Sequence, residues 1–333
     1  MKEITIKKEN EYLSPFACRS ECSRGRLNPE PPCPMRTDFQ RDRDRIIYSK
    51  AFIRLKNKTQ VFFSPEGDHY RTRLTHTLDV SQVARSIARM LLLNEDLAEA
   101  IALGHDLGHT PFGHAGERCL DKLSSKGFRH NEQSIRVVDY LENDGAGLNL
   151  TIEVRDGILN HKMDLEPETL EGQAVSLADR ISYISHDIDD AVRGGIISYG
   201  DLPKDAVKIL GATTRERINT TIGSIYRASA GKSRVRMEDE VFAALNDLRR
   251  FMFDNVYLIP SAKKEEETAM NMISAMFDHF MKNPEKLPDN FVKLLDRFEK
   301  ETVVCDYISS MTDRYAVYTF ENVFVPKSFY VRG

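Results

Sequence analysis

Tryptophan is absent from the 333 residues, so tyrosine must carry any intrinsic fluorescence. Cysteine is scarce, at 5, which excludes a disulfide scaffold. No apolar run is long: the stretch around Met90 to Leu93 is far too short to cross a bilayer. Met1 to Tyr12 is polar and lacks the apolar core of a signal peptide. Neither sign of charge dominates. The 47 basic and 51 acidic side chains leave a net charge of −4, so the surface as a whole does not collect nucleic acid. These absences place the chain in the cytoplasm, with no membrane partner and with reduced thiols. Cys18, Cys22 and Cys33 precede any helical pattern, but they lack the fourth ligand and tight pairs of a zinc or iron–sulfur site. Cys119 and Cys305 read as core residues.

What is present is an ordinary globular composition, 41% hydrophobic and 29% charged, long enough for one large or two modest domains. Residues 1–38 are polar and carry Pro29, Pro31, Pro32 and Pro34, which reads as an irregular arm. Helical periodicity then takes over. Asp42 to Lys56 spaces Ile46, Ile47, Phe52, Ile53 and Leu55 among arginines, and Arg73 to Leu93 sets Leu74, Leu78, Val83, Ile87 and Leu91 on one stripe. Leu97 to Leu107 forms another helix, stopped by Gly108; Thr110 and Pro111 read as the N-cap and first residue of the next. Further helices are expected at 114–124, 131–142, 151–161, 168–193, 204–229, 235–258, 262–282, 287–299 and 311–320. Strand signals are confined to Val61 to Asp68 and Val323 to Val331. The expected fold is all-α with at most a small β ribbon. It divides into an arm (1–38), a catalytic core (39–200) and a helical region (201–333) packed on that core.

Histidines carry the chemistry. Only 9 occur, and His76, His105, His109, His114 and His130 crowd one stretch. His105 and Asp106 are adjacent at a helix end, so both reach one metal ion only from its flank. Further ligands must come from other helices, and His76 and Asp179 are candidates. A mixed histidine and carboxylate set suits Mn²⁺, Fe²⁺, Mg²⁺ or Zn²⁺ and leaves positions open for water and a phosphoryl oxygen. Three histidines, two acids and three glycines fall between His105 and Glu117. His114 and Glu117 are three apart, hence on one helix face, a spacing that suits proton transfer. Asp179, Tyr183 and Asp187 form one helical stripe, and Arg73 lies one turn before His76. On residues alone, Tyr183 is as much a core aromatic and Gln60 only a polar residue before a strand-like run. His109 either orients the turn or acts on substrate. His69, His161 and His186 read as structural or exposed, Lys162 and Arg193 as solvated, and Arg41 to Arg45 as a salt-bridged helix face.

The stretches Arg41 to Ile47, Lys58 to Val61, Arg71 to His76, His105 to Glu117, Phe128 to Gln133 and Leu177 to Tyr183 together resemble the HD-domain phosphohydrolases. Within them the chain resembles the deoxyguanosine triphosphate triphosphohydrolase-like dNTPases, over roughly residues 38–190. The resemblance implies a helical phosphohydrolase fold and one divalent metal ion held by His76, His105, Asp106 and Asp179. Mn²⁺ or Mg²⁺ comes first, with Fe²⁺, Co²⁺, Ni²⁺ and Zn²⁺ as alternatives. It implies His114, Glu117 and His130 as catalytic groups, Arg73 at the phosphates, Gln60 at the deoxyribose 3′ side, and Tyr183 and Asp187 in the substrate pocket. The implied reaction is water attack at the α-phosphorus of a dNTP, giving deoxynucleoside and tripolyphosphate. A homo-oligomer, hexameric before tetrameric, and a regulatory dNTP or single-stranded DNA are the implied partners. The alternatives are HD-type hydrolysis of another nucleotide, or a nucleotide-sensing or single-strand-binding protein without turnover.

Overall fold

Apolar residues recur at helical spacing through most of the chain, and it folds accordingly as an all-α protein. The structure is a computed structural model that describes residues 1–60, 71–257 and 260–326. Its helices are α1 (Lys2–Tyr12), α2 (Asp38–Ile47), α3 (Lys50–Arg54), α4 (Arg73–Met90), α5 (Glu95–Gly104), α6 (Gly113–Leu123), α7 (His130–Arg136) and α8 (Ile152–Leu159). They continue as α9 (Leu170–Arg193), α10 (Lys204–Leu210), α11 (Thr214–Ser229), α12 (Asp239–Met252), α13 (Pro260–Lys282), α14 (Asp289–Val292), α15 (Lys300–Ser310) and α16 (Asp313–Phe324). Among the described residues, extended pairing is limited to two isolated antiparallel bridges, Arg26 with Thr151 and Thr59 with Thr72.

Local chemistry starts the three helices that matter most. Thr72 accepts the N–H of Thr75, Asn94 accepts those of Asp96 and Leu97, and Thr169 accepts that of Gly172, so α4, α5 and α9 each begin on a side-chain cap. α4 packs between α5 and α9. Val80, Val83, Ala84 and Ile87 of α4 meet Leu97 and Ile101 of α5 and Ala174, Ala178 and Ile181 of α9 in one buried core, which α10 to α12 extend through Leu210, Ile225, Leu245 and Leu248. A second core joins α13, α15 and α16 to one face of α6 through Phe277, Phe280, Val304, Ile308, Ala316, Cys119 and Leu120. Cys119 and Cys305 both lie in it, buried as expected.

Several elements differ from the sequence reading, each for a local reason. Residues 1–38 are not irregular throughout: Lys2–Tyr12 is helical, and hydrogen bonds hold the arm in place. Glu9 accepts the backbone N–H and the hydroxyl of Ser20, both at 2.7 Å, and Glu171 accepts the N–H groups of Cys18 and Asn94 at 3.0 and 2.9 Å. The helix expected over 204–229 breaks at Gly211, whose φ of 104° only glycine adopts without strain. The helix expected from Thr110 begins at Gly113, because Thr110 directs its hydroxyl to the Gly113 carbonyl at 2.8 Å. The stretch 287–299 keeps only α14 and a tighter turn, whereas α15 lay in a stretch without an expected helix. Val323 and Phe324 end a helix rather than forming a strand. Val61 to Asp68, His69 and residues 327–331 lie outside the described residues. No helix among the described residues is long and apolar enough to cross a membrane.

Glu171 is fully buried, and burial pushes its carboxyl up to about 7 despite the backbone N–H groups it accepts. Folding therefore takes up a proton between the ordinary carboxylate range and about pH 7, and stability falls as pH rises through that window. Glu171→Gln is expected to lose this slope. Its thermal midpoint should rise relative to the parent between pH 5 and 8, and parallel melting profiles would count against the assignment.

Candidate metal centre and catalytic cleft

Four ligand atoms converge where α4, α5 and α9 meet. His76 stands on α4, Asp179 on α9, and His105 and Asp106 directly follow α5. His76 Nε2 lies 3.1 Å from Asp179 Oδ1 and 4.0 Å from Asp106 Oδ2. His105 Nε2 lies 3.5 Å from Asp106 Oδ2 and 3.9 Å from Asp179 Oδ1. Ligands about 2.1 Å from a common divalent cation stand about 3 to 4 Å from one another. His76, His105 and Asp106 offer ligand atoms all within 4.8 Å of one another and could hold one ion, with Asp179 against the two histidines. The tautomer fits too. His105 donates through Nδ1 to the Ala102 carbonyl at 2.7 Å, which leaves Nε2 buried, without a hydrogen bond, and aimed into the cluster. Burial alone would raise Asp106 and Asp179, but their cationic and imidazole neighbours outweigh it. Asp106 falls well below the carboxylate range beside His105 and Arg73, and Asp179 falls to about 2 beside His76 and His105.

Arg73 forms the wall of this centre. It is buried and donates through Nη1 to Asp106 Oδ2 at 2.7 Å. Its Nε and Nη2 are buried with no hydrogen-bond partner among the described residues. Two guanidinium donors without an acceptor are costly, and an anionic oxygen would relieve them.

The loop from His105 to Phe112 brings a second group of imidazoles alongside. A side chain at Gly108 would put its Cβ 2.2 Å from the Ser134 nitrogen, so only glycine lets the loop press against α7. Glu117 on α6 ties the group together. Its Oε1 lies 2.8 Å from His130 Nδ1, and its Oε2 lies 3.3 Å from Nδ1 of the exposed His114. Burial would raise Glu117, but these two histidines hold it well below the usual carboxylate range. His109 stacks on His130, with ring centroids 4.4 Å apart, and its Nε2 is 4.0 Å from Asp106 Oδ1. Burial and Arg73 keep His109 well below the normal imidazole value, so it stands neutral.

His161, read as structural or exposed, is buried in this wall. Its Nε2 lies 3.3 Å from His130 Nε2, while its Nδ1 faces the Ile158 carbonyl at 2.8 Å. Burial and His105 lower it to about 4. His186 faces Asp79 at 3.0 Å instead. Arg41, Arg43 and Arg45 pair with Glu30, Asp96 and Glu99, the salt-bridged face their spacing suggests.

On the far side, Tyr183 and Asp187 continue the stripe of α9. Tyr183 accepts the Arg249 Nε–H at 3.1 Å, and Asp187 accepts the Tyr257 hydroxyl. Burial, with Asp190 and Asp179 nearby, pushes Asp187 up to about 7. Gln60 is half-buried, with its Oε1 buried and without a partner among the described residues. A Cβ on Gly113 would meet the Gln60 carbonyl at 3.3 Å and Arg73 Nη2 at 3.4 Å, so Gln60, Arg73 and this turn share one corner. Arg249, Tyr257 and His161 escaped sequence reasoning. None stands in a motif, and no local spacing announces partners 66 and 70 residues away for Arg249 and Tyr257, or 31 away for His161.

The family model "HD domain" matches residues 73–184, and the model "Phosphohydrolase-associated domain" matches residues 235–322. A "deoxyguanosinetriphosphate triphosphohydrolase-like protein" of Caldanaerobacter subterraneus subsp. tengcongensis is 56% identical over 330 residues, covering 99% of this chain and 97% of its own. One of the same name from Desulfatibacillum aliphaticivorans is 46% identical, covering 98% of each. The crystal structure of a phosphohydrolase from Bacteroides thetaiotaomicron shares the fold at 18% identity, with a TM-score of 0.54 over 84% of this chain and 68% of its own.

The ligand assignment is open to direct measurement. Asp179→Ala and His105→Ala are each expected to weaken Mn²⁺ binding by more than about tenfold, read as metal per chain after loading and desalting. A full equivalent retained by either variant would remove that residue from the set.

Proposed function

The chain belongs to the deoxyguanosinetriphosphate triphosphohydrolase-like family of HD-domain proteins, and from that premise we propose that it hydrolyses deoxynucleoside triphosphates to deoxynucleoside and inorganic tripolyphosphate. One observation carries this reading: the partnerless Nε and Nη2 of buried Arg73 sit beside a four-ligand cluster, an arrangement suited to a phosphate chain and a cation together. Mn²⁺ or Mg²⁺ held by His76, His105, Asp106 and Asp179 would neutralise charge on a phosphoryl oxygen.

The remaining work belongs to the side chains. Arg73 binds and orients the phosphates while its Nη1 keeps Asp106 ionised. Water adds to the α-phosphorus, the bond to the 5′-oxygen breaks, and that oxygen takes up a proton. His114 is placed to deliver it: Glu117 engages its Nδ1, which leaves Nε2 as the proton-bearing nitrogen for the transfer. His130 holds the other Glu117 oxygen, keeping the carboxylate anionic and fixed. Tyr183 packs against the sugar and leaves no room for a 2′-hydroxyl, while Asp187, Tyr257 and Gln60 offer polar contacts toward the 3′ side. The complete acid–base set argues against a sensor without turnover.

The decisive assay is a panel of dNTPs with Mn²⁺ or Mg²⁺, scored for tripolyphosphate, with and without a second dNTP as activator. Release of pyrophosphate or single phosphates would instead indicate another nucleotide hydrolase. Glu117→Ala is expected to keep its metal and lose about 10²–10⁴ in kcat, whereas Asp106→Ala should lose both. Tyr183→Ala should raise ribonucleotide relative to deoxyribonucleotide turnover by about tenfold or more. An unchanged ratio would dismiss the tyrosine as the sugar gate.

A further inference from the structure

Two buried polar side chains, Asp313 and Lys58, tie the C-terminal helices to the cleft. Asp313, the first residue of α16, is buried. Its Oδ1 accepts the N–H of Phe112 at 2.9 Å, and its Oδ2 accepts both the N–H of Thr59, at 2.9 Å, and the Thr59 hydroxyl. Beside it, Nζ of the buried Lys58 donates to the carbonyls of Ser309, at 2.7 Å, and His109. The Lys58 carbonyl in turn accepts the N–H of Arg73 at 3.1 Å.

The residues held this way are the ones next to the proposed machinery. Phe112 has φ 60° and Gly113 φ 55°, two consecutive left-handed residues that aim His114. Bulky residues avoid that region unless something outside the turn holds them there. Asp313 supplies such a hold, through a charge-assisted hydrogen bond to the Phe112 nitrogen. The same carboxylate fixes Thr59, whose next neighbour is Gln60. One side chain from the phosphohydrolase-associated region therefore sets the backbone at two edges of the cleft.

We propose that Asp313 is a positioning residue for the reaction: it fixes His114 through Phe112 and Gln60 through Thr59, without touching substrate or metal ligands. The proposal rests on the hydrolytic reading above, so its test includes a readout independent of turnover. In the 333-residue chain, Asp313→Ala is expected to keep its metal, lose about tenfold or more in kcat and lower the thermal midpoint, since two buried N–H groups lose their acceptor. In a His114→Ala background the same change should cost clearly less in kcat, because one of the two groups it positions is gone and only the effect through Gln60 is left. An equal loss in both backgrounds, or parent kcat in Asp313→Ala, overturns the proposal. Where Asp313→Ala does not fold, Asp313→Asn, which keeps one acceptor oxygen, should lower kcat or raise KM by about threefold or more at full metal content. Parent values for both would overturn it. Independently of any substrate, the His114 signals of ¹³C-histidine-labelled protein should shift in either variant, and unmoved signals overturn the proposal even if the parent releases no tripolyphosphate.

Discussion

The cleft is organised around one buried negative charge, that of Asp106. A carboxylate taken fully out of water stays ionised only if cationic or polarised groups surround it closely. Here the surrounding groups come from different parts of the chain: Arg73 and His76 from α4, His105 from the end of α5, and His109 from the loop beyond. The capped start of α4 and the tight packing of α4 against α5 and α9 serve that arrangement, because a shift of one helix would separate the charge from its partners. Kept ionised in this way, the carboxylate supplies the negative charge that a cation at the cluster would need.

The acids elsewhere show how much the surroundings decide. Glu117 is half-buried yet ionised, because His114 and His130 face both of its oxygens. Asp187, two turns beyond Asp179 on the same helix, is buried with a tyrosine hydroxyl and two further acids for company, and its carboxyl rises instead. One stripe of α9 thus presents a strongly acidic carboxyl at Asp179, beside the histidines, and a weakly acidic one at Asp187. The first suits electrostatics and the second hydrogen bonding, although the residue type is the same.

Most of the metal side was legible because it is local. His105 and Asp106 are neighbours, Arg73 and His76 share a helical turn, and Asp179, Tyr183 and Asp187 keep a strict four-residue interval, so periodicity alone puts them on common faces. Helix existence was legible for the same reason, while boundaries failed where a side chain captures a backbone group, as at Thr110, or where glycine breaks the path, as at Gly211. The long-range partners carried no such trace. Tyr257 meets Asp187, Arg249 meets Tyr183, and Asp313 meets Phe112 across stretches that no spacing rule bridges. The arm hid its helix because α1 sets its few apolar residues, Ile4, Ile6 and Tyr12, on no common face and is tied down through Glu9 instead.

The two matched regions meet inside the cleft rather than beside it. Residues 73–184 hold the ligand cluster and the imidazoles, while Arg249, Tyr257 and Asp313 reach in from residues 235–322. Such a seam separates what must stay constant from what is free to drift. Substitutions on the C-terminal side can reshape the wall around Tyr183 and Asp187 while the candidate ligand cluster stays as it is. Divergence in substrate choice among relatives would then be written mainly in the half of the sequence that carries no recognisable catalytic signature.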